Sequence, residues 1–434
     1  MSKPIAKIVS ASLIGTTIEW YDFFLYTSAA ALVFNKLFFP TADPLTGTLL
    51  SFATYAIGFV ARPLGGLVFG HFGDKIGRKK LLVLSLLLMG GSTFAMGLLP
   101  TYVTVGALAP ILLTLLRLVQ GFALGGEWGG AVLIVSEHGD PKRRGFWASW
   151  PQCGAPGGNL LATAVLALLA GVQSDEQFYS WGWRIPFLLS GVLVVIGLWI
   201  RMAISESPAF LAAQANRKPE EKAPIVTVLR EHWREVLVAM GARMAENVSY
   251  YVITAFILVY LTGPLHLPKS VGLTAVLIGS AFHFATIPLW GALSDRLGRR
   301  PVYLFGAIGV GAWGFAFFPL LATKSSLLII LATTVGLVLH GAMYGPQAAF
   351  FSELFGTKVR YSGASIGYQL ASILAGGLAP LIATALLKSF GSTTPVALYL
   401  VGACAITVVA VLASRETRGV SLVDEREEVE LAKR

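Results

Sequence analysis

The amino-acid sequence predicts an all-α integral membrane protein with twelve transmembrane helices in two six-helix, pseudo-symmetric halves. Three observations predict this fold class. The 434 residues are 55% hydrophobic and only 13% charged, whereas soluble domains carry about 25% charged residues. Nearly every apolar run reaches the roughly 20 residues that a helix needs to cross the hydrocarbon core. Finally, a loop motif in the first half of the chain recurs in the second half.

The repeated motif is GHFGDKIGRKK at residues 70–80, which recurs as GALSDRLGRRP at residues 291–301. Each copy joins two long apolar stretches through a loop that is too short to form a domain. Asp74 of the first copy corresponds to Asp295 of the second. An internal repeat at about half the chain length predicts two copies of one helix bundle, an arrangement found in many secondary transporters.

The apolar runs define the predicted spans. We place them at residues 8–34, 46–72, 81–99, 105–136, 146–171, 183–203, 236–261, 270–293, 302–321, 327–353, 362–388 and 395–413. Alternating strand patterns are absent, which excludes a β-barrel. The first run contains two acids and is too long for a cleavable signal peptide. Trp181 and Trp183, at the start of the sixth span, are expected to anchor it at the outer interface.

The basic residues predict the orientation. Most of the 33 Lys and Arg fall in alternate loops and at the two ends, and only five fall in the loops between them: Lys36, Arg184, Lys269, Lys324 and Lys388. By the positive-inside rule both termini are cytoplasmic, which makes this a multi-pass protein of the cytoplasmic (inner) membrane. The net charge of +10 therefore reflects orientation and attraction to lipid headgroups, and we expect no nucleic-acid partner.

The domain organisation follows from these spans. Residues 1–203 are expected to form one six-helix bundle and residues 236–413 the other. Residues 204–235 form a polar cytoplasmic linker, part of which has the apolar and charged faces of an interfacial helix. Residues 414–434 form a charged tail that we expect to be solvated.

Charged residues at the predicted cytoplasmic ends of the spans form a second internal match. Glu137 and Arg144 have the same separation as Glu353 and Arg360. Beside the acid and arginine of the repeated loop, these groups can form an interhelical latch that closes the inner side in one conformation. The predicted gating residues are Asp74, Arg78, Glu137, Arg144, Asp295, Arg299, Glu353 and Arg360.

Longer motifs carry a resemblance to a known family. They are EWYDFFLY (residues 19–26), ARPLGGLVFGHFGDKIGRK (61–79), RLVQGFALGGEWGGA (117–131) and WGWRIPF (181–187). With them the chain resembles the metabolite:proton symporter family of the major facilitator superfamily. RMAENVSYYVITAF (243–256) and RYSGASIGYQLAS (360–372) look most like its shikimate-transporter branch. The resemblance implies proton-driven uptake of a small organic acid, with a dicarboxylate or a zwitterion such as proline or betaine as the alternative substrate.

Acidic residues inside the spans are candidates for proton coupling, because a charge at mid-bilayer costs about 2.5–3.5 kcal/mol on insertion scales. Glu19 and Asp22 share one face of the first span, so either acid could carry the proton. The alternative is that one of them pairs with Arg62 or Arg117 to hold helices together. The resemblance favours Asp22, which lies inside the WYDF core. Glu127, between glycines, is a candidate relay or gate group.

Polar residues in six other spans are candidates for substrate binding. Arg62, and Arg117 with Gln120, offer guanidinium groups that can bind a carboxylate at two points. Arg243 and Glu246 are three residues apart, so they either face the substrate or neutralise each other. Hydroxyl, amide and imidazole groups for substrate hydroxyls would come from Tyr250, His283, Tyr344, Gln347 and Gln369. His283 and His340 can equally be packing residues.

Several functions are excluded by absent motifs. There is no phosphate-binding loop of the GxxxxGK[ST] type, no Cys/His cluster with metal-ligand spacing and no nucleophile motif. We therefore expect no cofactor, no metal and no enzymatic reaction. The expected partners are a small organic acid, protons and membrane lipid, and the protein is expected to function as a monomer.

Overall fold

The computed structural model describes residues 3–76, 78–125, 135, 140–202, 230–355 and 360–420. Within this set, the side chains of residues 3–8, 11, 67, 70–82, 141, 200–202 and 360–365 are outside the description. All regular secondary structure in the described ranges is helical. Most of the predicted linker, Glu127 and Glu137 lie outside the described residues, as do the side chains of Asp74, Arg78 and Arg360.

The amino-terminal helices are those of residues 3–202. They are α1 (Lys3–Leu32), α2 (Pro44–Ile76), α3 (Arg78–Leu98), α4 (Leu108–Leu124), α5 (Arg144–Gln152), α6 (Gly154–Val172) and α7 (Arg184–Met202). Short helical turns at Phe34–Leu37, Tyr102–Val105, Pro141–Arg143, Asp175–Gln177 and Phe178–Gly182 lie between them.

The carboxyl-terminal helices are those of residues 230–420. They are α8 (Trp233–Tyr251), α9 (Ile257–Thr262), α10 (Lys269–Leu297), α11 (Arg299–Ala322), α12 (Ser326–Leu354), α13 (Arg360–Ala371), α14 (Ala379–Phe390) and α15 (Thr394–Ala413). π-helical turns at Val252–Phe256 and Ser372–Gly377 join α8 to α9 and α13 to α14. Such turns widen a helix locally and are frequent at functional sites.

The helices coincide with the apolar intervals of the sequence. In the described residues, eight helices are long and apolar enough to cross a membrane, and a ninth span is possible if the helices on either side of Trp183, bent by 43°, act together. Val83–Leu98 and Leu108–Leu124 are shorter apolar helices. The protein is therefore a multi-pass helical membrane protein, while the number of twelve spans remains a prediction.

The two sets of helices share one apolar core. α1 packs against α6, and α5 and α6 pack against α10. Small residues allow the close contacts: an added Cβ on Gly158 of α6 would lie 2.5 Å from the backbone nitrogen of Tyr21 on α1. Inside lipid the hydrophobic effect does not drive helices together, so the close packing of small residues becomes a main source of helix association.

Trp183 corrects one expectation. Trp181 is half exposed, as an interfacial anchor would be, but Trp183 is 1% exposed. Its ring packs edge-on against Phe34 and Phe38. Trp183 therefore fixes the start of α7 to the short helical turn at Phe34–Leu37 that follows α1.

Candidate functional site

A small cavity with charged and aromatic residues in its wall lies where α1 and α6 meet α8, α12 and α13. Its volume is about 20 Å³, which is room for roughly one water molecule. It is lined by six aromatic residues (Trp20, Phe24, Tyr250, Tyr251, Tyr344 and Tyr368) and by Ala155, Arg243, Glu246, Asn247 and His340. Residues from both sets of helices therefore form its wall.

Arg243 and Glu246 form the charged part of the cavity wall. They lie one turn apart on α8, with 3.4 Å between Arg243 Nη2 and Glu246 Oε2. Gln347 of α12 contacts both side chains, at 3.4 Å from Arg243 and 3.3 Å from Glu246. The Arg243 guanidinium also lies 3.4 Å above the Tyr368 ring. The two residues do neutralise each other in this conformation, and they do so at the cavity.

Arg62 and Arg117 lie beside an aromatic cluster next to the cavity. Arg62 is 4.0 Å from the Phe59 ring, and it shares the Phe23 ring with Arg117 at 4.6 and 4.8 Å. Both arginines are buried. Among the described side chains, Nε and Nη2 of Arg62 and Nη2 of Arg117 have no hydrogen-bond partner. Buried guanidinium groups with donors to spare are suited to bind an anion.

Glycines on α2 and α4 bring these arginines together. An added Cβ on Gly121 would lie 1.9 Å from the carbonyl oxygen of Gly58, and one on Gly125 would lie 1.9 Å from that of Arg62. Gly58 also leaves the space that Arg117 fills, since a Cβ there would lie 2.6 Å from Arg117 Nε. The glycine-rich runs in the sequence thus serve close helix contact.

Asp22 lies in a separate buried pocket within the amino-terminal helices. The hydroxyls of Ser190 on α7 and Thr93 on α3 face its carboxyl group, and its Oδ1 has no hydrogen-bond partner. Gln120 donates to Thr93 at 2.8 Å and accepts a hydrogen bond from Arg117. This polar chain connects the acid to the arginine.

At the predicted cytoplasmic end, four of the proposed gating residues meet. Arg144 of α5 donates to Glu353 of α12 at 2.9 Å, and Arg299 of α11 lies 3.0 Å from the same carboxylate. Arg299 also pairs with Asp295 at 2.7 Å. Asp295 in turn accepts the backbone N–H groups of Gly145 and Phe146, at 2.7 and 2.9 Å, so it caps the first turn of α5.

The glycines of the repeated motif explain why this cluster can form. Gly291 and Gly145 approach so closely that a Cβ on either would lie 2.5 Å from the carbonyl oxygen of the other. Gly298 has φ of +105°, a conformation that favours glycine, and it turns the chain between α10 and α11. The motif therefore sets both the contact between α10 and α5 and the position of Arg299.

Comparison with known proteins identifies this architecture. The sequence profile described as Major Facilitator Superfamily matches residues 12–365 and 236–433. The chain belongs to the major facilitator superfamily. It is a membrane transporter, since this superfamily is a class of transporters and not of enzymes.

Proteins of similar sequence within the superfamily are named as transporters. The chain is 44% identical to an inner membrane metabolite transport protein of Escherichia coli (strain K12), covering 96% of this chain and 95% of the relative. It is 42% identical to the shikimate transporter of the same organism, covering 94% of each. It is 36% identical to a proline/betaine transporter of Salmonella typhimurium, covering 95% of this chain and 84% of the relative. These matches confirm the family resemblance of the sequence motifs.

A solved structure shares the fold. The proton:xylose symporter XylE superimposes with a TM-score of 0.74 at 18% identity, covering 99% of this chain and 98% of that chain. A D-xylose-proton symporter structure gives 0.75 at 19% identity, covering 96% and 99%. At such identities the similarity concerns the fold alone.

The predicted substrate-binding residues are only partly gathered at the cavity. Arg243, Glu246, Tyr250 and Tyr344 line it. Gln347 lies behind the Arg243–Glu246 pair. The others lie further away: Arg62, Arg117, Gln120 and His283 are outside the lining, and Gln369 donates to the Gly125 carbonyl at 3.3 Å instead. Glu19 is buried and has a polar contact of its own.

Sequence reasoning missed several lining residues: Trp20, Phe24, Asn247, Tyr251 and Tyr368. Each lies within a motif that was recognised, such as EWYDFF or ENVSYY, whereas His340, which also lines the cavity, was weighed as either a ligand or a packing residue. A helical wheel drawn through Glu246 and Tyr250 finds Asn247 but does not select Trp20, because which side of α1 meets α8 is a tertiary property. No group of three or more His, Cys, Asp or Glu among the described residues could hold a metal ion.

The start of the charged tail is partly exposed but also contacts the helices. Four of residues 414–420 are exposed, while Ser414 and Thr417 are buried at the predicted cytoplasmic end. Glu416 accepts the N–H groups of Arg299 and Arg300 at 2.8 and 3.0 Å. The buried Thr417 donates to Glu353 at 2.9 Å, and the Val420 carbonyl accepts from Arg144 at 3.0 Å. The segment thus contacts both sets of helices, while residues 421–434 lie outside the description.

Two ion pairs connect the sets of helices at the opposite, predicted outer end. Lys269 of α10 pairs with Asp175. Lys388 of α14 pairs with Asp43 at 3.1 Å. Hydrogen bonds from the Thr46 hydroxyl and amide, followed by Lys388, lower the pKa of Asp43 to about 2, so this exposed pair stays ionised at physiological pH. Contacts therefore join the two sets at both ends of the transporter.

Proposed function

We propose that this transporter takes up a small organic acid, shikimate or a similar cyclic carboxylate, together with protons across the cytoplasmic membrane. In this proposal, twelve helices form two six-helix halves joined by the 204–235 linker, with both termini cytoplasmic. The halves alternate between outward-open and inward-open conformations around the cavity, and a single chain is sufficient.

The observation that carries the proposal is the set of buried arginines beside the cavity. Leaving guanidinium donors without partners inside a membrane protein is costly. A substrate carboxylate could accept hydrogen bonds from Arg62 and Arg117 at two points. These bonds would offset the cost of burying the two guanidinium groups. The aromatic residues at the cavity offer faces for the substrate ring, and Asn247 and Tyr250 offer polar groups for ring hydroxyls.

Asp22 is the proposed proton carrier of the amino-terminal helices. Its pocket lacks an ion-pairing cation among the described residues, so protonation removes a buried charge. The polar chain through Thr93 and Gln120 to Arg117 gives its protonation a route to influence substrate binding. The predicted gating cluster would close the cytoplasmic side while Asp22 and the cavity are reached from outside.

A zwitterionic substrate is the second candidate. The cavity holds Glu246 and six aromatic residues, and aromatic faces bind quaternary ammonium groups by cation–π attraction. The similarity to a proline/betaine transporter supports the same alternative. A betaine would place its ammonium group among the rings and its carboxylate at an arginine.

Transport into proteoliposomes tests the proposal. Purified protein should accumulate labelled shikimate against its gradient when an inward proton gradient is imposed, and a protonophore should abolish the accumulation. Unlabelled dicarboxylates, aromatic acids and betaine are added as competitors. Accumulation of labelled betaine and not of labelled shikimate would replace the proposed substrate class by the second candidate. Accumulation that survives the protonophore would contradict proton coupling.

A further inference from the structure

A second group of titratable side chains lies among the carboxyl-terminal helices, away from Asp22. His340 Nδ1 of α12 and His283 Nε2 of α10 are 2.9 Å apart. His340 Nε2 lies 3.1 Å from the backbone carbonyl oxygen of Glu246 and 3.8 Å from its Oε1. Both imidazoles are essentially inaccessible to solvent. The three residues form a line that begins behind the cavity and ends at the cavity wall.

The hydrogen bonds fix which nitrogens carry protons. A carbonyl oxygen only accepts, so His340 Nε2 must carry a proton. In a neutral ring His340 Nδ1 is then an acceptor, and His283 Nε2 must be the donor to it. His283 Nδ1 is left with a lone pair, and it has no hydrogen-bond partner. The line therefore has a proton acceptor at its deep end and a proton donor facing Glu246.

We propose that His283, His340 and Glu246 form a proton relay that frees Arg243 for the substrate, an inference that rests on the proposed proton-coupled uptake of an organic acid. A proton binds His283 Nδ1, and the Nε2 proton of His283 passes to His340 Nδ1. The Nε2 proton of His340 then passes to Glu246 Oε1 after a side-chain rotation closes the 3.8 Å gap. One proton moves, and both rings end neutral with their tautomers exchanged.

Charge balance at the cavity gives the relay its purpose. Arg243 and Glu246 neutralise each other in this conformation, so Arg243 adds no net positive charge to that of Arg62 and Arg117 for a substrate carboxylate. When Glu246 takes up a proton, Arg243 is left with an unpaired cation that can join Arg62 in binding the same carboxylate. Proton and carboxylate thus enter this site together, because an isolated buried charge is unfavourable.

The surroundings of the relay supply no competing charge among the described residues. From α8 it faces Arg243 and Glu246 themselves, and the ring of Tyr250 lies 5.2 Å from that of His340. The other titratable neighbours are tyrosines: Tyr344 on α12, Tyr303 on α11 and Tyr368 on α13. Gln347 and Asn247 donate to Glu246 Oε2 and leave Oε1 to face His340.

The hydrogen bond between the His283 and His340 rings is tested first, in an experiment that does not measure transport. In protein labelled with ¹⁵N-histidine and reconstituted in lipid, we expect a scalar coupling across the N–H···N bond between two rings. His283→Gln and His340→Gln should each remove it, and His266→Gln, on an exposed outer loop, should leave it in place. Absence of this coupling in the wild type overturns the relay, whatever the substrate.

The role in coupling is tested by counting protons. Liposomes with an internal pH dye report protons entering per labelled shikimate. His283→Gln and His340→Gln should each lower the protons entered per shikimate at least twofold, a ratio that does not depend on the rate of exchange; the His266→Gln control should match the wild type. Wild-type ratios in both variants would overturn the relay and leave proton-coupled uptake intact. Shikimate entry without protons in the wild type would instead reject the proposed coupling itself.

A third variant covers the case in which the histidine variants fail to fold. Glu246→Gln imitates the protonated acid, so its shikimate affinity should lose the part of the pH dependence that Glu246 causes and should vary less between pH 5 and 8 than that of the wild type. The wild type should bind at least tenfold more weakly at the upper end of this range. The same pH dependence in Glu246→Gln and in the wild type would contradict the role of Glu246.

Discussion

At the scale of single residues, the buried ionised groups differ in how well they are partnered. Arg299 has two carboxylates, and Arg243 has one. Arg62 has aromatic faces but two nitrogens without a hydrogen-bond partner. A cation–π contact contributes about 0.5–2 kcal/mol and does not replace a carboxylate. Arg62 is therefore the arginine that we propose as a ligand of the substrate.

Replacing Arg62 tests anion binding directly. Arg62→Gln should raise the KM for shikimate by about tenfold to a hundredfold, the equivalent of a charged hydrogen bond of about 1.5–3 kcal/mol. Arg62→Lys should recover only part of this loss because an ammonium lacks the two-point fork. Initial rates of uptake over a range of shikimate concentrations give the answer. Equal KM values in all three proteins would exclude Arg62 as a ligand.

Replacing Asp22 tests proton coupling in the amino-terminal helices. Asp22→Asn keeps the size and the hydrogen bonding of the protonated acid but cannot release a proton. We expect it to abolish uphill accumulation of shikimate in proteoliposomes and to spare exchange of labelled for unlabelled shikimate. Accumulation driven by a pH gradient at the wild-type level would show that another acid carries the proton.

At the scale of elements, the packed segment 414–420 connects helices that are distant in sequence. Its Glu416 covers the first turn of α11, where two backbone N–H groups have no partner within the helix. Burial raises the pKa of Glu416, but the N–H groups of Arg299, Arg418, Arg300 and Thr417 outweigh it, so the pKa lies below its usual value. The ionised form of Glu416 therefore stabilises the contact between residues 414–420 and α11.

The pH dependence of this contact follows from that direction. A lowered pKa in the folded chain means that the stabilisation is present above the usual carboxyl range, near pH 4, and is lost as the pH falls through the folded value. A spin label on Val420→Cys should therefore be immobile at pH 7 and become mobile only as the pH falls below the usual carboxyl range. In the Glu416→Gln variant the same spin label should be mobile at every pH that is measured. Mobility that does not change with pH in the wild-type background would refute the role of Glu416.

At the scale of the whole molecule, the two ends differ in the kind of contact that joins the sets of helices. The predicted cytoplasmic end has the buried network of Arg144, Arg299 and Glu353, and the predicted outer end has Lys269 and Lys388 with exposed acids. Breaking a buried pair by removing one partner costs about 3–5 kcal/mol. An exposed pair contributes about 0–1 kcal/mol. In the proposed alternation between conformations, opening the predicted cytoplasmic end therefore costs more than opening the predicted outer end.

This asymmetry predicts unequal effects of removing one partner at each end. Glu353→Gln should shift the equilibrium towards opening of the predicted cytoplasmic end by more than about a hundredfold, and Lys388→Gln should change it by less than about tenfold. Electron–electron distances between spin labels at Lys142 and Leu297, both exposed near that end, measure the opening. Equal responses to the two substitutions would contradict the assignment of the main latch to Glu353.

The sequence by itself determined the membrane class, the helical intervals, the repeated loop and the identity of the ionised groups inside the spans. These are properties of short stretches of chain, because bilayer thickness and backbone hydrogen bonding act on each segment separately. It also named Arg144, Asp295, Arg299 and Glu353 as a group, since the repeat places them at one end.

Only the tertiary structure decided which side chains meet. Residues such as His283 and His340, or Lys269 and Asp175, are far apart in sequence, and their contacts depend on the rotation and crossing of whole helices. The same holds for Trp20, which reaches the cavity because glycines let α1 approach α6, and for residues 414–420, whose composition suggested a solvated tail. Helix packing is a collective fit of many small contacts, so local hydrophobicity does not determine it.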